Sequence, residues 1–209
     1  MIGKNFNGVT ITDTLVDLTE QKIQVGVNDL DEKKKVILEK AFNSDMLSIR
    51  EPAIVSDDLD RNSFSQGTNN VGGMGARVYG GNVDAATIGT TSLSYSNDLY
   101  TSSSRAGYFD AVQANDFVGN MVCMSGASSA TNPVSCGTVL SKSVSYSIDG
   151  VAFSGLRSAS YTSAPGDSGA PTYYSTVLMG VNKGRHNGNA VYSYIGNVLN
   201  ALPVQPILN

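Results

Sequence analysis

Ala164-Pro165-Gly166-Asp167-Ser168-Gly169-Ala170-Pro171 is the stretch on which the reading of this chain turns. Two glycines bracket an aspartate and a serine, and prolines stiffen both flanks. Glycine reaches backbone conformations closed to other residues. Gly166 can therefore turn its N–H inward beside that of Ser168, and Gly169 admits a neighbouring strand at close range. Serine is a weak nucleophile; it needs a base to take its proton and amide donors aimed at a developing oxyanion. The turn can supply the donors. On these residues alone, a simple tight turn and a presented nucleophile are equally good readings. A base is not at hand in the sequence, because the only histidine, His186, follows Ser168.

The bulk composition narrows the field. A length of 209 residues allows one moderate domain or two small ones, and 41% hydrophobic residues suffice for a real core. A net charge of -4 and a pI near 4.9 argue against nucleic acid as a partner, since phosphate binding needs a basic stripe. No run of apolar residues is long enough to span a membrane as a helix. Met1-Ile2-Gly3-Lys4-Asn5-Phe6 lacks the apolar core of a signal peptide, which fits a cytoplasmic chain or a longer precursor whose start is missing.

Charge is uneven along the chain. Residues 1–61 hold 8 Lys/Arg and 12 Asp/Glu, whereas 62–209 hold 6 of each class and no glutamate. The longer part is rich in Ser, Gly, Thr, Asn and Tyr, a low-charge composition suited to a β-rich extracellular protein. The change near Arg61 sets the expected domain boundary. Before it, residues 10–17 and 22–27 read as strands, the second alternating Ile23, Val25 and Val27 with polar or small residues. Residues 18–21 are short enough for a hairpin turn. Asp29 or Asp31 offers an N-cap, Glu32 sits in the first turn, and 33–42 continues a helix with Ile37/Ala41 and Leu38/Phe42 paired. Residues 46–49 read as a third strand. The stretch 57–75 reads as an exposed linker, suited to proteolytic release of what precedes it.

After Arg77 the pattern is β. Strands are expected over 77–79, 85–88, 119–124, 137–147, 151–154, 178–181 and 191–195, with a short helical turn over 197–202. Such spacing suggests a sandwich or a barrel. Cys123 and Cys136 have twelve residues between them. Two cysteines and one distant histidine make a poor zinc set, so no metal is expected. The pair is either two buried thiols or a disulfide worth about 3 kcal/mol, which would imply an oxidising compartment.

The block Val118-Gly119-Asn120-Met121-Val122-Cys123-Met124-Ser125-Gly126-Ala127-Ser128-Ser129, followed by Cys136-Gly137-Thr138-Val139, resembles the second barrel of the chymotrypsin-like serine proteases, in their streptogrisin-like bacterial branch. There a Cys-x-Ser-Gly hairpin leads to a Cys-Gly-Thr-Val strand. Val144-Ser145-Tyr146, Ile148-Asp149-Gly150, the serine loop and Leu178-Met179-Gly180-Val181 follow in matching order over roughly 110–202. Asn82-Val83-Asp84-Ala85-Ala86-Thr87-Ile88 is similar to the family strand that carries the triad aspartate, which would make Asp84 the residue orienting a histidine. The part before Arg61 resembles the end of a bacterial pro-region.

That resemblance implies a mainly β protein. It would have a trypsin-like Greek-key β-barrel, second barrel complete and first largely absent, preceded by a small α+β segment. The implied domains are a pro-region-like segment over 1–61, a linker and first-barrel remnant over 62–83, and a protease domain over 84–209. The implied activity is that of a secreted, zymogen-derived serine endopeptidase acting through an acyl-enzyme, with Ser168 as nucleophile and the amides of Gly166 and Ser168 as oxyanion hole. Cys123 and Cys136 would be bridged. Ser160, Tyr161, Lys183, Gly184, Arg185 and His186 would border the specificity pocket. The partner would be a peptide or protein substrate, without cofactor, nucleic acid or membrane, and the chain a monomer.

The match also breaks. The family histidine belongs before the aspartate, in a Thr-Ala-Gly-His-like strand end, and the 22 residues between Arg61 and Asp84 contain no such motif. Three readings compete: a fragment or internal deletion, a natural pseudoenzyme, or His186 moved into the role. A base must come within hydrogen-bond reach of the serine oxygen, and His186 falls in a stretch, 183–188, read as a pocket-edge loop. Lys183 stands where relatives have Ser or Thr beside the triad aspartate, and Arg185 where a pocket-wall glycine is usual. Met124 replaces a basic residue that would pair with Asp167, so that carboxylate must protonate or find other donors. Thr162 replaces a cysteine of a second bridge. The activity expected is that of a protease disabled by the missing histidine; the alternative is a non-catalytic peptide-binding protein. A Ser/Thr/Asn-rich surface β-domain unrelated to proteases is the third reading.

Overall fold

The computed structural model describes residues 2–17, 21–42, 46–50, 55–57, 65–66, 69–70, 73–89, 96–102, 105–128 and 133–208. The N-terminal part begins with β1 (Asn5–Phe6), β2 (Val9–Asp17) and β3 (Lys22–Val27), continues into α1 (Glu32–Ala41), and ends with β4 (Leu47–Arg50) and β5 (Val55–Asp57). β2 and β3 are antiparallel, and α1 is the crossover that brings β4 parallel to β3. Asp31 caps the helix, its carboxylate accepting the Lys34 N–H at 2.7 Å, with Glu32 and Lys40 at the ends that suit their charges. Leu38 drops from the helix onto Val9, Ile11, Val25 and Val27, a small closed core. The turn expected over 18–21 lies mostly outside the described residues.

The rest is almost all strand: β6 (Ser65–Gln66), β7 (Asn69–Asn70), β8 (Gly73–Gly80), β9 (Val83–Gly89), β10 (Asp98–Ser102), β11 (Arg105–Tyr108), β12 (Ala111–Val112), β13 (Met121–Ser125), β14 (Val134–Ile148), β15 (Val151–Ala159), β16 (Pro171–Tyr174), β17 (Val177–His186) and β18 (Asn189–Tyr194), closed by α2 (Ile195–Ala201). Pairing runs β13-β16-β17-β18-β15-β14, and β14 returns to β13. Six strands therefore close a ring, and β17 runs on beyond its pairing with β16, which ends at Val181. Val122, Met124, Val139, Ala159, Tyr161, Met179, Ala190 and Tyr192 fill one core cluster of the ring, and Val144, Tyr146, Phe153, Leu156 and Val191 another. β8 and β9 form a separate hairpin whose Val83 packs on α2 residues Ile195, Val198 and Leu202. The chain is mainly β with a trypsin-like barrel, as the motifs implied.

Two joins were not legible in the sequence. β14 outruns the ring and pairs with β2, Val144 opposite Leu15 and Ser145 opposite Thr14, so the N-terminal sheet continues the barrel sheet. β5 lies antiparallel along β17, with Asp57 opposite Gly184, Ser56 opposite Arg185 and Val55 opposite His186. The supposed loop at 183–188 is thus strand as far as His186, paired on both sides. Charged residues hid it by breaking the apolar alternation. The expected linker at 57–75 lies largely outside the described residues, although Asp57 ends β5 and β6 pairs with β7 within it. No helix among the described residues is long and apolar enough to cross a membrane.

Candidate active site

The serine loop sits between β15 and β16. Gly166 has φ +99° and Gly169 φ +86°, backbone states that side chains rarely adopt, so both glycines are required by the turn. Asp167 N–H donates to Ala164 O at 3.0 Å and Ala170 N–H to Asp167 O at 3.1 Å, closing the loop on itself. The N–H groups of Gly166 and Ser168, by contrast, donate to no protein acceptor among the described residues.

Asn182 of β17 ties this loop to the barrel. Its N–H donates to Ala170 O at 2.8 Å, its O accepts from Gly169 N–H at 2.9 Å, and its side-chain amide donates to Asp167 O at 3.0 Å. The Tyr161 hydroxyl, donating to Asn182 Oδ1 at 2.9 Å, fixes the amide in turn. The Asp167 carboxylate is buried and takes three donors: Ser128 N–H at 2.8 Å, Ser128 Oγ at 2.9 Å and Ala164 N–H at 2.8 Å. These replace the cation that Met124 cannot provide.

No protein-family model matches the sequence, and no curated protein sequence matches it significantly. Solved structures do. A glutamic acid specific serine protease, described as using a histidine triad in substrate binding, aligns over 66% of this chain and 75% of its own at 22% identity, with a TM-score of 0.58. A Cellulomonas bogoriensis chymotrypsin aligns over 65% and 75% at 21% identity, TM-score 0.57. Nocardiopsis protease aligns over 61% and 69% at 26% identity, TM-score 0.53. The fold is that of the bacterial chymotrypsin-like serine proteases.

Within this protease fold, three of the singled-out residues converge. Ser168 Oγ donates to the main-chain oxygen of Lys183 at 2.7 Å. The Lys183 side chain, 1% exposed, carries its ammonium to 2.5 Å from Asp84 Oδ2. The same ammonium lies 4.3 Å from the Phe153 ring centroid and 5.0 Å from that of Tyr79, a cation on two aromatic faces. Asp84 is also held through its own N–H, which donates to Ser193 Oγ at 2.9 Å. The group meeting Asp84 is a lysine ammonium rather than an imidazole.

His186 is three residues further along β17 and contacts other partners. Its ring stacks on Tyr146 at 4.9 Å, and Nε2 stands 3.6 Å from Asp13 Oδ1 of β2. Arg50 contacts the same carboxylate at 2.5 Å. Burial pushes the Asp13 carboxyl up, but His186 and Arg50 outweigh it and hold it below the usual carboxylate range. With His186 beyond hydrogen-bond distance, the direct contact with Arg50 is the firmer of the two.

Of the other pocket-border residues, Tyr161 is core, Ser160 is exposed with its Oγ accepting the Thr138 N–H at 2.9 Å, Gly184 is buried, and Arg185 is half-buried. Cys123 and Cys136 stand opposite one another in β13 and β14 and are bridged, with Cα atoms 4.0 Å apart. Among the described residues no cluster of ligating side chains could hold a metal ion. Sequence reasoning missed Asn182 and Ser128. A lone Asn in a strand and a Ser in a Gly/Ser-rich hairpin carry no local pattern that separates them from their neighbours.

Proposed function

We propose that this chain is a serine-type peptide hydrolase of the chymotrypsin-like class whose cleft is built and whose base is missing, so that it holds an extended peptide far better than it cuts one. One observation supports this above all. β5 lies antiparallel on Gly184, Arg185 and His186, next to Lys183, whose carbonyl holds the Ser168 hydroxyl. A strand on that edge runs towards the serine, which is how an extended substrate meets a nucleophile. Main-chain pairing supplies its affinity.

In this reading Ser168 is the nucleophile, and the unengaged N–H groups of Gly166 and Ser168 receive the oxyanion. Attack on a peptide carbonyl would form the Oγ–C bond while the hydroxyl proton leaves. Its present acceptor, a peptide carbonyl, is far too weak a base to keep it. Asp84, the carboxylate that would orient a histidine, is neutralised by Lys183. Loss of the histidine in such a site costs on the order of 10⁶ in turnover, and oxyanion stabilisation with binding retains about 10³–10⁴ over water. The ion pair between Lys183 and Asp84 favours a second reading, a peptide-binding protein without turnover.

Residues 1–61 act, on this proposal, as a pro-region-like segment that docks on the barrel through β2 and lays β5 in the cleft. Residues 62–83 are a remnant of a first barrel, and the protein is secreted and monomeric. The test is covalent labelling with a fluorophosphonate probe and its loss in Ser168→Ala. Slow, serine-dependent labelling supports the hydrolase reading. Absence of labelling in a folded sample that still binds peptide establishes the binding protein instead.

A further inference from the structure

We propose that the barrel carries a second site, away from Ser168, for a small uncharged ligand that joins an apolar ring to one hydroxyl or N–H donor. Gln113, Asn120, Met121, Tyr174, Val177 and Met179 line a cavity of about 430 Å³, within the range of small-molecule sites. Gln113 follows β12, Met121 begins β13, and Tyr174 and Val177 flank the β16–β17 turn. Val177 opens β17, and Lys183, whose carbonyl holds Ser168, comes about 20 Å later along the strand at roughly 3.3 Å per residue.

Gln113 chooses the ligand. Its main chain is pinned twice, the N–H donating to Leu178 O at 2.8 Å and the O accepting the Tyr194 hydroxyl at 2.8 Å. Its side-chain oxygen Oε1 is buried, and no donor among the described residues reaches it. A buried acceptor without a donor is costly, so such groups are nearly always answered by protein, water or a ligand. The same cavity is walled by Met121, Met179, Val177 and Tyr174, with Asn120 as a second uncharged polar group. Methionine is flexible and polarisable and packs well on an aromatic ring. Met121 and Tyr174 are exposed at the mouth, where a ligand would cover them. Among the described residues no charged side chain lines the cavity, so a charged ligand would lose hydration without gaining a partner. A water molecule answers the acceptor alone. A donor carried on an apolar ring answers it and covers the methionine wall as well.

The test titrates the full chain with benzyl alcohol, toluene and benzoate, which share a ring and differ in the group on it, and follows the assigned methionine methyls by NMR. Benzyl alcohol and toluene should shift Met121 and Met179, and benzoate should bind at least about tenfold more weakly than benzyl alcohol. Gln113→Met should weaken benzyl alcohol about fivefold, the scale of one neutral hydrogen bond, and leave toluene unchanged. Val177→Phe, which fills the cavity, should abolish binding of both. An effect of Gln113→Met that is equal for the two, or absent for both, overturns the proposal. So does binding that moves only residues beside Ser168, or no shift of either methionine up to the solubility of the compounds. If Gln113→Met does not fold, benzyl methyl ether, which keeps the oxygen and loses the donor, decides in the unaltered chain. Tighter binding of the alcohol supports the proposal, and equal or weaker binding overturns it.

Discussion

The ammonium of Lys183 lies 2.5 Å from the carboxylate of Asp84, although 99 positions separate the two in the chain. This contact pins the β8/β9 hairpin to the barrel wall beside Ser168. On the function proposed above, where Asp84 would orient a histidine, the same contact puts a cation in the imidazole's place.

Breaking that pair from one side should be costly. Lys183→Met leaves a largely buried carboxylate without its cation, and about 3–5 kcal/mol of unfolding free energy should be lost. Lys183→Met combined with Asp84→Leu should lose less than either single change, because no charge is stranded. Urea denaturation of the three variants gives the comparison; a double variant as unstable as the sum of the singles contradicts this account.

Asn182 should matter to the serine loop more than its neutral character suggests. Asn182→Ala removes the acceptor of the Tyr161 hydroxyl and one of the donors to Asp167 O, at about 1–3 kcal/mol. It should also slow any fluorophosphonate labelling of Ser168. Tyr161→Phe, which removes a single hydroxyl, should cost about 1 kcal/mol and leave labelling nearly intact.

The bridge between Cys123 and Cys136 closes a short hairpin loop. Replacing both with alanine should lower stability by about 3 kcal/mol through the unfolded state. Thermal melts with and without reductant, set beside the double variant, test this; a melt indifferent to reductant counts against it.

Acid should destabilise the fold through two carboxylates. Burial pushes Asp116 up, but Arg157, with Nε at 2.6 Å, and Lys142, with Nζ at 3.2 Å, outweigh it and hold the carboxyl below the usual range, as happens at Asp13. A group depressed on folding contributes fully above its unfolded pKa, close to the ordinary value of 3.8, and loses that contribution as pH falls through the lower folded value. Stability should therefore be insensitive to these groups above about pH 5 and fall below about pH 4. Asp116→Asn should be about 3 kcal/mol less stable at neutral pH and show a shallower acid limb. Chemical denaturation from pH 2 to 7 measures both slopes.

Parts of the N-terminal segment and of the ring were legible in the sequence. The alternation of Ile23, Val25 and Val27 marked β3, and Asp29 or Asp31 with Glu32 marked the start of α1; these are local signals, in which side-chain period or cap chemistry reports the backbone directly. The Cys-Gly-Thr-Val run of β14 was legible only through its resemblance to a family strand. β17 was cut short at Val181, because Lys183 and His186 read as loop residues until their buried partners, Asp84 and Asp13, are seen across the structure.

By itself, the sequence determined that a Gly-Asp-Ser-Gly run lies among short β-strand patterns, and that no histidine stands between Arg61 and Asp84. Those facts depend on residue type and on spacing of a few positions. Only the tertiary structure decided that Lys183 takes Asp84, that Ser128 satisfies Asp167, and that residues 55–57 lie along the edge leading to Ser168. Such contacts join positions 39 to 131 residues apart, Ser128 with Asp167 and Val55 with His186 being the extremes. They are fixed by closure of the ring and by the burial of charges that must then find partners, and no local pattern in the chain encodes either.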